Sequence, residues 1–191
     1  MLKQTLILLI LFCSCTSNEN KKDKQVLDFG YFTIETPNTW KKLEAHPLDS
    51  YIGTIAMDSK DTIGFDLGRW SNNLEEYIPP IFKKSQAKNI HGADTLNVII
   101  VDSLAIVDNP EVYTPEYYKK NKILWDTIDG YKAKIVFPKK SGVGTTGIYI
   151  DSLWQSYLGT DRFNLYGNNL QPENEKLFLH AIKTIKFHKP K

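Results

Sequence analysis

From Tyr31 onward the apolar residues of the chain mostly alternate with polar ones instead of recurring at helical spacing, the mark of half-buried strands. Tyr31-Phe32-Thr33-Ile34-Glu35-Thr36 is the first predicted strand, closed by Pro37. Tyr51 to Met57 and Thr62 to Leu67 predict a hairpin, because Asp58-Ser59-Lys60-Asp61 is turn chemistry and Ile63, Phe65 and Leu67 share one face. The strongest local signal is Asp129-Gly130, a two-residue type I′ turn between Ile123–Ile128 and Tyr131–Phe137. Tyr131, Ala133, Ile135 and Phe137 form the inward face of that hairpin, and Gly147 to Leu153 and Arg162 to Tyr166 add two strands.

Two stretches carry weaker patterns. Between Ser71 and Asp94, Asn73 to Ile78 can begin a helix that Pro79-Pro80 interrupts, and Leu96 to Val107 then reads as one strand or a bent pair. Asn109 to Asn121 is irregular and sets Tyr113, Tyr117 and Tyr118 among prolines and lysines. The chain closes on a helix from Pro172 toward Phe187, with Glu173 and Glu175 complementing its dipole and an apolar stripe of Leu177, Phe178, Ala181, Ile182 and Ile185. Paired strands with short turns and a terminal helix predict an α+β fold, a largely antiparallel sheet with packed helices.

The first residues follow a different rule. Lys3 precedes the apolar run Leu6 to Phe12, which is too short for the ~30 Å hydrocarbon core that needs about 20 residues. It reads as an export signal. Phe12-Cys13-Ser14-Cys15 resembles the lipobox of bacterial lipoproteins, with Ser14 as the small residue before the acceptor, although Phe12 stands where Leu is usual and Cys13 where a small residue is usual. The resemblance implies signal removal after residue 14 and lipid attachment at Cys15, with several acyl chains such as palmitate on one cysteine. Each buried methylene is worth about 0.8 kcal/mol, so several chains anchor without help from the protein. Thr16 to Lys24 contains no apolar residue and reads as a tether. The expected division is therefore a signal peptide over 1–14, a lipidated, flexible tether over 15–27 and one globular domain over 28–191. This polar patch after the cysteine resembles the tethers of Bacteroidota lipoproteins, which implies an outer-membrane location on the periplasmic or the surface side.

A second resemblance covers most of residues 28 to 188. Phe32-Thr33-Ile34 with Pro37 and Trp40, the central Ile-Asp-Gly hairpin, and the closing Thr184-Ile185-Lys186-Phe187 look like the Mog1/PsbP-like fold, an α/β/α sandwich. Uncharacterised Bacteroidota lipoproteins have similar layouts. The similarity is one of order and spacing, and it implies accessory or binding roles without naming an activity.

Composition narrows the function. With 24 basic and 22 acidic residues, and 23 against 22 once Lys3 is removed, the domain lacks the basic excess of a nucleic-acid binder. Both cysteines lie at the processing site, so a mature chain acylated at Cys15 has no thiol for disulfides, redox chemistry or a cysteine nucleophile. His46, His91, His180 and His188 are scattered without metal-ligand spacing. Asp58, Asp61 and Asp66 lack the DxDxDG order of a calcium loop, and turn formation accounts for the first two. The Gly-rich loop Ser141–Gly147 lacks the lysine and following helix of a phosphate loop and reads as a hairpin loop. No GxSxG elbow occurs.

No cofactor is indicated. Tyr113, Tyr117, Tyr118 and Trp125 are the candidate binding surface, for stacking on sugars or on a protein. The expectation is a non-enzymatic envelope lipoprotein, with the membrane through its lipid and an envelope protein as partners. The alternatives are a small envelope hydrolase acting on cell-wall or imported glycans, which needs two carboxylates in a concave pocket, and an immunity or inhibitor lipoprotein.

Overall fold

The computed structural model describes residues 23–43, 51–91, 97–157 and 159–189, so the signal, Cys15, most of the tether and His46 lie outside the described residues. The strands are β1 (Lys24–Asp28), β2 (Phe32–Pro37), β3 (Lys41–Leu43), β4 (Tyr51–Ala56), β5 (Thr62–Gly68), β6 (Ile81–Lys83), β7 (Ile99–Val101), β8 (Asn121–Ile128), β9 (Tyr131–Pro138), β10 (Thr145–Ser156), β11 (Gly159–Asn168) and β12 (Lys186–Phe187). The helices are α1 (Lys84–Ala87), α2 (Ser103–Asp108), α3 (Pro115–Tyr118) and α4 (Pro172–Ile182). The fold is α+β, with an antiparallel seven-stranded sheet in the order β3-β4-β5-β11-β10-β9-β8. The small sheet β1-β2-β12 is also antiparallel, whereas β6 and β7 pair in parallel.

Alternation along the strands decides which residues meet. Ile63, Phe65 and Leu67 of β5 lie opposite Leu165 and Phe163 of β11 or beside them, and β10 continues the same face with Ile148 and Ile150, all buried. Onto this inner face pack β2, β12 and α4. Phe32, fully buried, stacks on Phe29 at 4.9 Å between ring centres and meets Phe65 and Phe163 edge to face at 5.0 and 4.9 Å. From α4 come Phe178, Ala181 and Ile182, all buried as the sequence stripe predicts.

The predicted hairpins are present. Asp129 (φ 50°) and Gly130 (φ 86°) make the I′ turn, and the Asp129 carboxylate accepts from the Phe187 N–H at 2.8 Å and from Lys186 Nζ at 3.0 Å. That turn is thereby tied to β12. At the β4–β5 turn, Asp58 accepts from the N–H groups of Lys60 and Asp61, while Asp61 accepts from the Gln171 N–H and from Asn174 Nδ2, each at 2.7 Å. These carboxylates face N–H donors, which a cation would repel, and they lock the hairpin to the start of α4. Asp66, on the other face of β5, takes no part.

Four sequence expectations change. The sheet begins at Lys24, four residues before the expected boundary at 28: β1 pairs with β2, Leu27 is buried, and the Gln25 amide donates to the carbonyls of Pro37 and Trp40. Asn73 to Ile78 is not helical, because the Asn72 and Asn73 side chains capture the N–H groups of Leu74 and Glu75 and Leu74 turns to φ 55°. The stretch read as a strand to Val107 is the short β7 followed by α2, which the Asp102 carboxylate caps at the Leu104 N–H. The terminal helix stops at Ile182, and β12 follows it.

Asp61 is 7% exposed, so Asp61→Ala leaves two donors, the Gln171 N–H and Asn174 Nδ2, without this acceptor. The expected loss is about 1–3 kcal/mol, read by urea denaturation. Hydrogen bonds from the Asp61 N–H, Asn174 and the Lys60 N–H hold the Asp58 carboxyl below its ordinary value. Its stabilising contribution is therefore present above the ordinary carboxylate pKa and lost as pH falls through the lower folded value. Asp58→Asn should flatten that acid loss in the same denaturation series.

Candidate functional site

The outer face of the large sheet is not a solvated polar surface. Lys134, Val136, Tyr149 and Asn164 point there, and each is at most 9% exposed. An arm, described over residues 69–91 and 97–120, crosses this face. Its root is pinned by Ser71, whose hydroxyl lies within hydrogen-bond distance of the carbonyls of Asp66, Gly68 and Arg162, and by Asn164 Nδ2 donating to the Asn72 carbonyl at 2.9 Å. Glu76 clasps its far end: the carboxylate accepts from the N–H groups of Lys120 and Asn121 and from Asn121 Nδ2 at 2.8–3.1 Å.

A polar group adjoins the arm, with Lys134 and Tyr149 buried and the side chains of Asp151 and Arg162 at its exposed rim. The Tyr149 hydroxyl donates to Asp151 at 2.7 Å, Arg162 Nε lies 3.2 Å from the same carboxylate oxygen, and Lys134 Nζ stands 5.3 Å from the centre of the Tyr149 ring. Burial pushes the Tyr149 phenol up to about 12, and the hydrogen bond to Asp151 adds to the rise. Burial also lowers the Lys134 ammonium, against the pull of Glu75 and Asp151.

Between the arm and the open ends of β10 and β11 runs a cleft formed by two adjoining hollows of about 190 and 680 Å³ that share Glu76, Asn121 and Thr145. Its sheet side presents Thr145, Tyr166, Asn168 and Asn169, and its arm side Asn72, Tyr77, Pro79 and Tyr118. Gly144 forms part of the wall. With φ 140° and the Asn121 and Pro138 side chains in the space of a Cβ, no other residue fits there without displacing Asn121, whose side-chain Oδ1 accepts from the Thr145 N–H at 2.9 Å.

The four aromatic candidates separate. Tyr118 lines the cleft, with its hydroxyl donating to the Val112 carbonyl at 2.9 Å and its ring edge to face with Tyr117, which is 48% exposed. Tyr113 lines a neighbouring apolar hollow with Tyr77, Ile78 and Pro115, under Lys83. Trp125 stands away from these hollows on β8, 57% exposed, with Lys132 Nζ 4.6 Å from its ring centre. Sequence reasoning missed Tyr77, Glu76 and the asparagines. The doublets Asn72-Asn73 and Asn168-Asn169 were the available signal, since carboxamides cluster where backbone groups and ligands need both donors and acceptors.

The Gly-rich loop does hold an anion, its own Glu175: the carboxylate accepts from the Gly142 N–H at 3.2 Å and from the Ser141 hydroxyl at 3.0 Å. Ser85 and Lys88 have the serine–lysine spacing of some acyl-transfer enzymes, but both are exposed, Ser85 on the one-turn α1 and Lys88 just after it, and no hydrogen bond joins them. Among the described residues no group of three His, Cys, Asp or Glu side chains is placed to hold a metal.

No family model matches the chain, and no curated protein is similar to it. A crystal structure of a protein from Bacteroides thetaiotaomicron VPI-5482 is similar at 8% identity and a TM-score of 0.35, covering 87% of this chain. The chain spans about half of that protein, 48%. A likeness of this size carries no argument about fold or function.

Tyr149 supplies a pH test of the polar group that adjoins the arm. Its folded pKa lies above the ordinary value of about 10, so its contribution is fully present below about pH 10 and lost as pH rises through about 12. Tyr149→Phe has no phenol to ionise. Denaturation of both proteins from neutral to alkaline pH should show the advantage of the wild type shrinking only between about pH 10 and about pH 12.

Proposed function

We propose that the chain is an exported envelope lipoprotein, held to the membrane through Cys15, whose Mog1/PsbP-like domain binds an uncharged, hydroxyl-rich ligand such as a glycan segment along the arm–sheet cleft. The cleft lining carries the reading: Asn121 and Thr145 are held by bonds within the wall, the Nδ2 groups of Asn72, Asn168 and Asn169 offer donors, the side-chain oxygens of these three, each accepting one bond already, can take a second, and Tyr77 and Tyr118 offer ring faces. Sugars present the complementary chemistry, hydroxyls around an apolar ring face. The anchor rests on the lipobox-like Phe12-Cys13-Ser14-Cys15.

A binding role is favoured over hydrolysis by the state of Glu76. Of the two carboxylates beside the cleft, Glu75 and Glu76, the second has both oxygens engaged by N–H donors that fix the arm. An acid–base pair needs each group free to exchange a proton with the substrate.

Mass spectrometry of the mature N-terminus should find an acylated Cys15; an unmodified N-terminus beyond it removes the anchor. Calorimetric titration with a panel of neutral oligosaccharides should give binding that Tyr77→Ala weakens about tenfold, or roughly 1.4 kcal/mol. Tyr77 is 71% exposed, so its removal leaves the core unchanged. Turnover of an oligosaccharide on prolonged incubation would instead favour the hydrolase.

A further inference from the structure

The two edges of the large sheet are built differently. Within the described residues β3 is Lys41-Lys42-Leu43, and its two lysines are the kind of side chain that protects an edge from pairing. At the opposite edge β8 runs eight residues without proline, its register to β9 is unbroken, and Ile123, Leu124 and Trp125 at its centre are 52%, 51% and 57% exposed. We infer that β8 pairs antiparallel with β8 of a second copy, joining two seven-stranded sheets into one across a two-fold axis at Leu124. This inference is independent of the cleft and of the anchor.

Backbone direction limits the registers available. Ile128 and Tyr131 close the two-residue turn, so Ile128, Asp126, Leu124 and Lys122 direct their N–H and C=O groups to β9, and Ile123, Trp125 and Thr127 turn theirs to the free edge. Among the described residues the Thr127 N–H accordingly finds no strand, and it is taken up by its neighbour, the Asp126 carboxylate, at 2.7 Å. Only registers that set edge-facing residues opposite one another can form a ladder.

Side chains select one of these. Centred on Leu124, the pairing places Leu124 against Leu124 and Ile123 against Trp125 of the second copy, an aromatic and a β-branched residue. It also places Lys122 against Asp126 of the second copy, at both ends of the interface. Re-centring on Ile123 or on Trp125 sets Leu124 against Lys122 or against Asp126. The edge is thus self-complementary in charge as well as in apolar surface, which is what an isologous contact requires and an arbitrary extended peptide does not. Asp126 already binds Lys183 of its own chain, and Lys122 of the second copy completes a three-charge group.

The test uses the full chain in a density-matched detergent. Sedimentation equilibrium across a concentration series should give twice the chain mass, and Trp125→Lys should return it to the mass of one chain with unchanged circular dichroism. Leu124→Cys should link two copies on mild oxidation, since non-hydrogen-bonded partners across such a ladder are near enough for a disulfide. Thr127→Cys should not, because the register holds the two copies of that residue apart; the wild type run beside them reports any linkage through Cys13 or Cys15. A single-chain mass throughout the series overturns the inference. Linkage of Thr127→Cys as efficient as that of Leu124→Cys overturns the register.

Discussion

A seven-stranded sheet with large apolar side chains on its inner face cannot stand without cover, and the cover comes from both ends of the chain. β1 and β2 arrive from the N-terminal side, α4 and β12 from the C-terminal side, and they meet over Phe65 and Phe163 around the buried ring of Phe32. Burying a phenylalanine side chain is worth about 1.5–3 kcal/mol, so this cluster of rings outweighs any single polar contact in the domain. The ends are also stitched together by hydrogen bonds across the whole sequence. The Glu35 N–H donates to Thr184, and the His188 N–H to the Tyr31 carbonyl. Contacts of such sequence separation are slow to form.

The outer face follows the opposite rule. Its cover is an arm whose described residues include three short α-helices, a 3-10 turn and one parallel strand pair, held by side-chain bonds to backbone groups: Ser71 and Asn164 at the root, Glu76 at the far end. Such bonds fix position more than they supply stability, since each contributes about 0.5–1.5 kcal/mol net. The polar group of buried Lys134 and Tyr149 with the exposed side chains of Asp151 and Arg162 works in the same way. A buried lysine over a tyrosine ring is tolerated because the ring face and two nearby carboxylates offset part of its desolvation. The result is a rigid apolar side and a polar side on which a cleft can be built.

This division explains what the sequence revealed. The Asp129-Gly130 turn, the β4–β5 hairpin and the α4 stripe were legible because local chemistry and inner-face burial agree there. The arm was illegible because its course is dictated by distant partners: nothing near Glu76 in sequence points to the N–H groups of Lys120 and Asn121. Lys134 reads as an outward residue by alternation and does point outward, but the arm lies over it. Of the cleft, Tyr118 was visible as an aromatic among prolines; Tyr77 and the asparagines became site residues only through the crossing of the arm. Trp125 was recognised as exposed, while its meaning as part of a free edge required the strand order.

Strand order also relates the chain's entry point to its cleft. β1 belongs to the layer over the inner face, whereas Thr145, Tyr166 and Asn168 face the cleft from the outer side of the large sheet. Residues 16 to 23, at ~3.3–3.6 Å each, reach at most about 29 Å even when fully extended. On the lipid-anchored reading, that tether leads into β1, whose layer lies on the side the cleft does not occupy. On that reading the sheet stands between the point where the tether joins β1 and the proposed cleft.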